Sequence, residues 1–154
     1  VAKLVSLEHK EIDELLALVS EGSLRRKLEK ARKTIKTSSA KAKGRGLQQW
    51  VCAEISKLTG IPYVQADDDS LIRSREMGQA GLDVILRGEA SKLFPWSVEC
   101  KATESFSLGA TVEQVERNVK PGTNWLIVHR SKRFRDPIVV LSWEAFARTW
   151  EAIL

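Results

Sequence analysis

Cysteine and histidine are nearly absent: the 154 residues hold two of each, Cys52, Cys100, His9 and His129. Ligands scattered this widely exclude a zinc site of ordinary spacing. Both cysteines fall inside apolar patterns, which points to buried free thiols in a reducing compartment rather than to a disulfide. No apolar run approaches the ~20 residues that a membrane-spanning helix needs. The N-terminal stretch is charged and amphipathic, unlike the apolar centre of a signal peptide. No membrane partner is therefore expected, and the cytoplasm is the expected location.

What the chain has in excess is positive charge, 25 Lys and Arg against 20 Asp and Glu, a net +5 with a pI near 9.4. Its distribution says more than its sum. Residues 35–46 hold Lys36, Lys41, Lys43 and Arg45 with no acid among them. A second group, Arg130, Lys132, Arg133 and Arg135, falls between two apolar runs. Solvated loops would look the same, but positive charge concentrated in acid-poor segments favours phosphate contact. A hydrophobic share of 43% and a charged share of 29% are ordinary for a globular chain long enough to build one core.

Residues 1–36 read as a helical hairpin. Ser6 is placed to cap a first helix with Glu8 in its first turn, and Ile12, Leu15, Leu16 and Val19 fall at helical spacing. Gly22 stops it, and Ser23 opens a second helix with Leu24, Leu28, Ala31 and Ile35 on one stripe. Residues 37–46, small, basic and glycine-containing, read as a linker that orders on phosphate. Leu47–Thr59 is the next helix, with Leu47, Val51, Ile55 and Leu58 inward, Glu54 within that stripe and Gln48 at its edge. Pro62–Val64 and Leu71–Ser74 read as strands separated by the acidic turn 67–69. The flexible stretch 77–83 follows.

Two runs, 82–86 and 97–101, then carry charged residues where a strand core is expected. Strand alternation puts Ser97, Glu99 and Lys101 on one face and Val98 and Cys100 on the other. If the runs pair, Asp83 joins Glu99, and two carboxylates beside a lysine form an oxygen-lined cation site. An ordinary strand pair with a surface Glu99–Lys101 ion pair is the alternative. Beyond them, a helix to about Val119 has Val112, Val115 and Val119 inward. Strands 125–129 and 137–141 follow. Ser142 caps a last helix whose Trp143, Phe146, Trp150 and Ile153 fall at core spacing.

Asp83 … Glu99-Cys100-Lys101 resembles the PD-(D/E)XK nuclease signature, with Leu82 where the leading proline would stand. Lys43-Gly44-Arg45-Gly46-Leu47-Gln48 is similar to the opening of the small archaeal and phage Holliday-junction resolvases. There a Lys-Gly pair shortly precedes an acidic residue on the first helix, and here Gln48 takes that place. The resemblance covers residues 43–142 and the order of elements. It implies an α/β fold over 47–154, a restriction-endonuclease-like core with a mixed central sheet flanked by helices, preceded by the helical hairpin.

The same resemblance implies a Mg²⁺-dependent endonuclease (Mn²⁺ substituting) acting on DNA, branched DNA above all, as a homodimer, and a phage protein in its host's cytoplasm is one such source. Asp83, Glu99 and the Cys100 backbone carbonyl would hold the metal, and Lys101 would act on the transition state. Gln48 or Glu54 would support the metal from the first helix. Gln114 would orient Lys101 or touch a phosphate, unless it is an exposed helix glutamine. Lys41, Lys43, Arg45, Arg73, Ser74, Arg75, Arg130, Lys132, Arg133 and Arg135 are the candidate DNA contacts. Another nuclease of the superfamily, and a non-catalytic nucleic-acid binder on the same scaffold, are the alternatives.

Overall fold

The computed structural model describes residues 9–19, 22–76 and 78–153, without the side chains of 9 and 33–38. Ser6, Glu8, residue 77 and the Ile35 and Lys36 side chains, named above, lie outside the described residues. The chain divides into two compact units, Val1–Ala42 and Lys43–Leu154.

The first unit contains α1 (His9–Leu18) and the opening of α2 (Ser23–Thr59). Ile12 and Leu28 are buried, and Arg32 pairs with Asp13 at 2.8 Å. The Arg25 guanidinium donates to the Val19 carbonyl at 2.9 Å and the Leu16 carbonyl at 3.4 Å. A cation thus satisfies carbonyls that the end of α1 leaves without intrahelical donors. The expected hairpin is present, although Leu15 and Leu24 are exposed.

Residues 37–46, expected as a linker, are helical, because α2 continues without a break to Thr59. No proline precedes Pro62, and Ala40, Lys41, Ala42, Lys43 and Arg45 are strong helix formers. They outweigh Gly44 and Gly46, which cost about 1 kcal/mol each relative to alanine. Leu47, Val51 and Ile55 are buried as expected, but Leu58, one residue before the helix ends, is 75% exposed. Gly60 then takes φ +73°, the left-handed conformation that ends a helix. No strand forms over 62–64.

In the second unit β1 (Ile72–Ser74) pairs antiparallel with β2 (Val84–Leu86), Ile72 opposite Leu86. A short α3 (Gly88–Leu93), not expected from the sequence, leads to β3 (Trp96–Ala102). The crossover through α4 (Leu108–Asn118) makes β4 (Asn124–Arg130) parallel to β3, and β5 (Ile138–Val140) returns antiparallel to β4. The fold is mixed α/β, but the sheet is split in two: β1-β2, and the mixed sheet β3-β4-β5. The runs 82–86 and 97–101 are therefore not ladder partners. Their main chains meet through one backbone–backbone bond, from the Asp83 amide to the Val98 carbonyl at 3.1 Å.

β3 is buried on both faces, which its alternation sorts cleanly. Val98 and Cys100 join the cluster formed with Leu47, Val51, Cys52 and Ile55 of α2. On the opposite face, Ile127 of the paired strand β4 packs with Val115 of α4 and Leu82. Glu99 and Lys101 lie on this second face. Val119, expected inward, is exposed.

The closing helix α5 (Trp143–Glu151) is capped as expected, Ser142 Oγ accepting from the Ala145 amide at 3.1 Å. Its packing is the reverse of the expectation. Ala145 is the buried residue, while Phe146, Trp150 and Ile153 are exposed and Trp143 is 80% exposed. The spacing predicted an apolar stripe correctly but not what covers it. Among the described residues no helix is long and apolar enough to cross a membrane.

Helical continuity through the basic stretch is directly testable. Gly46 lies mid-helix with nothing within 4 Å of an added Cβ. Gly46→Ala should stabilise the protein by about 0.5–1 kcal/mol in denaturant unfolding. A change near zero would indicate a stretch that is not helical in solution.

Candidate active site

The split between the sheets is where the polar residues collect. Asp83 precedes β2, in the gap where β2 and β3 would otherwise pair. Its backbone amide is fixed by Val98, and its carbonyl accepts from the Arg75 amide at 2.7 Å. The carboxylate accepts from the Cys100 amide at 2.7 Å and from the Gln48 side-chain amide at 2.5 Å. One aspartate thereby ties α2, the β1–β2 hairpin and β3 together. The Cys100 N–H faces this edge, and in an extended strand a residue's carbonyl faces the same edge as its N–H.

Around the strand, Lys101 Nζ donates to Glu99 Oε1 at 2.8 Å and to Gln114 Oε1 at 2.9 Å. The Gln114 amide closes the triangle by donating to the same Glu99 oxygen at 2.9 Å. Gln114 thus orients the lysine, one of the roles open for it. Glu99 is only 3% exposed. Burial pushes its carboxyl above the ordinary range; the Lys101 hydrogen bond opposes this and the Asp83 charge adds to it. Burial also raises Asp83, against the Cys100 amide, the Gln48 amide and the positive Lys101 and Arg75. The Cys52 thiol, pushed up to about 12 by burial alone, is chemically quiet.

Two acceptors in this cluster have no partner. Glu99 Oε2 and Gln48 Oε1 are buried and accept no hydrogen bond. Leaving a buried acceptor unsatisfied costs about 1–3 kcal/mol, more for a charged one. A cation supplies what such oxygens lack. Among the described residues no three His, Cys, Asp or Glu side chains cluster. The donors here are two carboxylates completed by an amide oxygen and a main-chain carbonyl. An all-oxygen set suits Mg²⁺ or Mn²⁺, and the residues fit such an ion.

Glu54 is not part of the cluster. It pairs with Lys57 at 2.7 Å on the flank of α2, turned away from the core that the adjacent Val51 and Ile55 enter. Of the two candidates on that helix, Gln48 is the one at the site. The basic candidates divide among three settings. Arg45, Arg73, Ser74 and Arg75 line a cavity of about 460 Å³. Lys43, Arg130, Lys132 and Arg135 line a second, also about 460 Å³. Lys41 and Arg133 are exposed and line neither. Arg73 is committed to Asp68 at 2.5 Å, and Arg130 lies over the Trp50 ring at 4.8 Å.

Two contributors gave no sequence signal. Glu104 accepts from Ser131 Oγ at 2.7 Å and the Lys132 amide at 3.2 Å, bonds that hold its carboxyl below the usual range. It joins the segment after β3 to the basic loop after β4. Tyr63 contributes a hydroxyl that is buried without a hydrogen-bond partner. Its pKa is raised, chiefly by burial; the nearby Ser74 side chain pulls the other way without completing a bond of good geometry.

Compared with known protein families, curated proteins and solved structures, the chain matches none. What the cluster does must be argued from its own geometry.

The raised carboxyls give a signed prediction. Each contributes stability that is complete below the ordinary carboxylate range and is lost as pH rises through its raised value. The metal-free protein therefore carries its largest penalty at neutral pH. Mg²⁺ at a hundredfold excess over Kd should stabilise it there by about 2.7 kcal/mol. The shift should shrink toward pH 4, as the carboxyls take up protons, and vanish in Glu99→Gln. Thermal unfolding across pH, with and without Mg²⁺, checks this. A Mg²⁺ shift that is independent of pH, or is retained in the variant, would place the ion elsewhere.

Proposed function

We propose that this chain is a divalent-metal-dependent DNA endonuclease of the PD-(D/E)XK kind that hydrolyses phosphodiester bonds with Mg²⁺. The observation that carries this reading is the buried pair of partnerless oxygens, Glu99 Oε2 and Gln48 Oε1, in one cluster with Asp83 and a lysine fixed by two acceptors. Asp83, Glu99, Gln48 Oε1 and the Cys100 carbonyl would hold the ion. A divalent cation bound there supplies Lewis-acid polarisation of the scissile phosphate and lowers the pKa of water.

The chain's own residues supply the rest. Lys101 has two of its three donors committed to Glu99 and Gln114, which aims the ammonium before substrate arrives. Its remaining donor serves the charge that builds on the phosphoryl oxygens in the transition state. Gln48 is kept in place through Asp83, so α2 is tied to the reacting centre. Two cavities border α2 through neighbouring residues, Arg45 and Gln49 for one, Lys43 and Gly46 for the other, which is the basic one. Contacts of this kind hold the phosphate backbone without reading bases, so binding should weaken steeply with salt.

Branched DNA and a homodimer complete the proposal. A four-way junction is nearly two-fold symmetric, and two matched cuts require two sites related by a two-fold axis. One chain offers one Asp83–Glu99–Lys101 set. Exposed apolar side chains on α5 provide surface of the kind that a second copy covers.

Asp83→Asn should abolish cleavage while leaving DNA affinity within a few-fold. Lys101→Ala should lower kcat by about 10²–10³ with little change in metal affinity. Single-turnover assays on junction and linear duplex, with light scattering, test the whole. Cleavage in excess EDTA, or full activity of either variant, contradicts the nuclease reading. Linear duplex cut as fast as a junction, or a strict monomer on DNA, contradicts only the junction and dimer parts.

A further inference from the structure

The cavity beside β1 is not explained by phosphate contact alone. Its basic side consists of Arg45, Arg73 and Arg75, but Asp67, Asp68 and Glu76 line it too. Three cations against three carboxylates leave no net charge to attract a bare polyanion. The Arg73–Asp68 pair at 2.5 Å cancels internally. Asp67 accepts from the Asp69 amide at 2.9 Å, and Glu76 from the Gln79 side chain at 3.1 Å. What remains is a cationic side built on Arg75 and Arg45 and an acceptor-rich side built on Asp67 and Glu76.

Arg75 is placed rather than loose. Its Nε donates to the Leu82 carbonyl at 2.6 Å. Its guanidinium also packs against Gly81, 3.0 Å from where a Cβ there would stand. Gly81, at φ +110°, therefore serves both the turn and the arginine. This sets the guanidinium next to the residues leading into Asp83. At about 460 Å³ the cavity is also far larger than a phosphate requires and falls in the range of small-molecule sites. Gln49 adds a neutral hydrogen-bonding group to its wall, and Tyr63, whose hydroxyl is buried, lines it as well.

We infer that this cavity receives a single unpaired nucleotide of the substrate next to the cleaved bond. Arg75 and Arg45 take its phosphate, and the Gln49 and carboxylate side takes the donors and acceptors of its base. A nucleobase with an exocyclic amino group matches that side, because carboxylates accept from such groups. That the nucleotide belongs to DNA rests on the nuclease reading above. The consequence is a substrate class: DNA with an unstacked or unpaired nucleotide at the cut, which branch points supply and continuous duplex does not.

Tyr63 is the chain's single tyrosine, so ring-labelled tyrosine gives one reporter of this cavity by NMR. Without metal, dCMP should shift that signal saturably. Deoxyribose 5-phosphate and inorganic phosphate should bind at least about tenfold more weakly, a difference of about 1.4 kcal/mol. Arg75→Gln should remove the dCMP response, and Lys132→Gln, at the other cavity, should keep it. Inorganic phosphate binding as tightly as dCMP would make this a bare-anion site and overturn the inference, as would a Tyr63 signal that no ligand moves. No cleavage enters this readout. A chain that binds dCMP here but cuts no DNA refutes the nuclease reading alone, and one that cuts DNA without a Tyr63 response refutes the pocket alone.

Discussion

The structure depends on one half-buried aspartate standing between two sheets. Asp83 donates its amide to Val98 and accepts at its carboxylate from the Cys100 amide and Gln48. Remove the side chain and three elements lose their common partner: the helix carrying Gln48, the hairpin β1–β2, and the edge strand β3. Charge at such a position is costly. Burial raises Asp83 and Glu99 together, and the Asp83 charge adds to the rise at Glu99. Broken or unpaired buried charges cost several kcal/mol. A fold selected for stability alone would fill this seam with apolar side chains. Its retention is explained if the charge is completed by a ligand that the free chain lacks.

The lysine does not complete it. Lys101 addresses Glu99 Oε1, the same oxygen that Gln114 addresses, and leaves Oε2 without a donor. Both donors crowd one oxygen while the other is buried bare. This asymmetry separates the cluster from an ordinary structural ion pair, in which donors distribute over both carboxylate oxygens. It also assigns distinct work to the two glutamines, Gln114 to the lysine and Gln48 to the aspartate. The neutral Gln48 lowers the negative charge gathered at the site. Its amide donates to Asp83, which a carboxylate in that place could not do.

Much of this site was legible in the sequence. Asp83, Glu99, Lys101, Gln48 and Gln114 all come together, because strand alternation and helix spacing are local rules that survive folding. Glu54 failed because an apolar stripe read by spacing says nothing of how wide the packed face is, and its nearer partner was Lys57. The linker became helix because glycine and small polar residues mark breaks only when helix formers around them are weak. The last helix inverted its expected core because periodicity fixes which residues share a face but not what meets that face. Ala145 packs where the backbone must come close, and Trp143 and Trp150 remain outside. The split sheet could not be read at all: a single backbone–backbone bond between Asp83 and Val98 in place of a ladder is a tertiary outcome.

The central claim is that a divalent cation occupies the space between Asp83, Glu99 and Gln48. The most direct measurement is anomalous X-ray diffraction from crystals of this protein grown or soaked with Mn²⁺. The account predicts a peak within ordinary oxygen-ligand distance, about 2.0–2.6 Å, of Asp83 and Glu99, with Gln48 Oε1 or the Cys100 carbonyl completing the set. The same data from Glu99→Gln crystals should show it lost or much reduced. A Mn²⁺ peak at the Asp67–Asp69 turn instead, or none at the seam at saturating metal, would contradict the account.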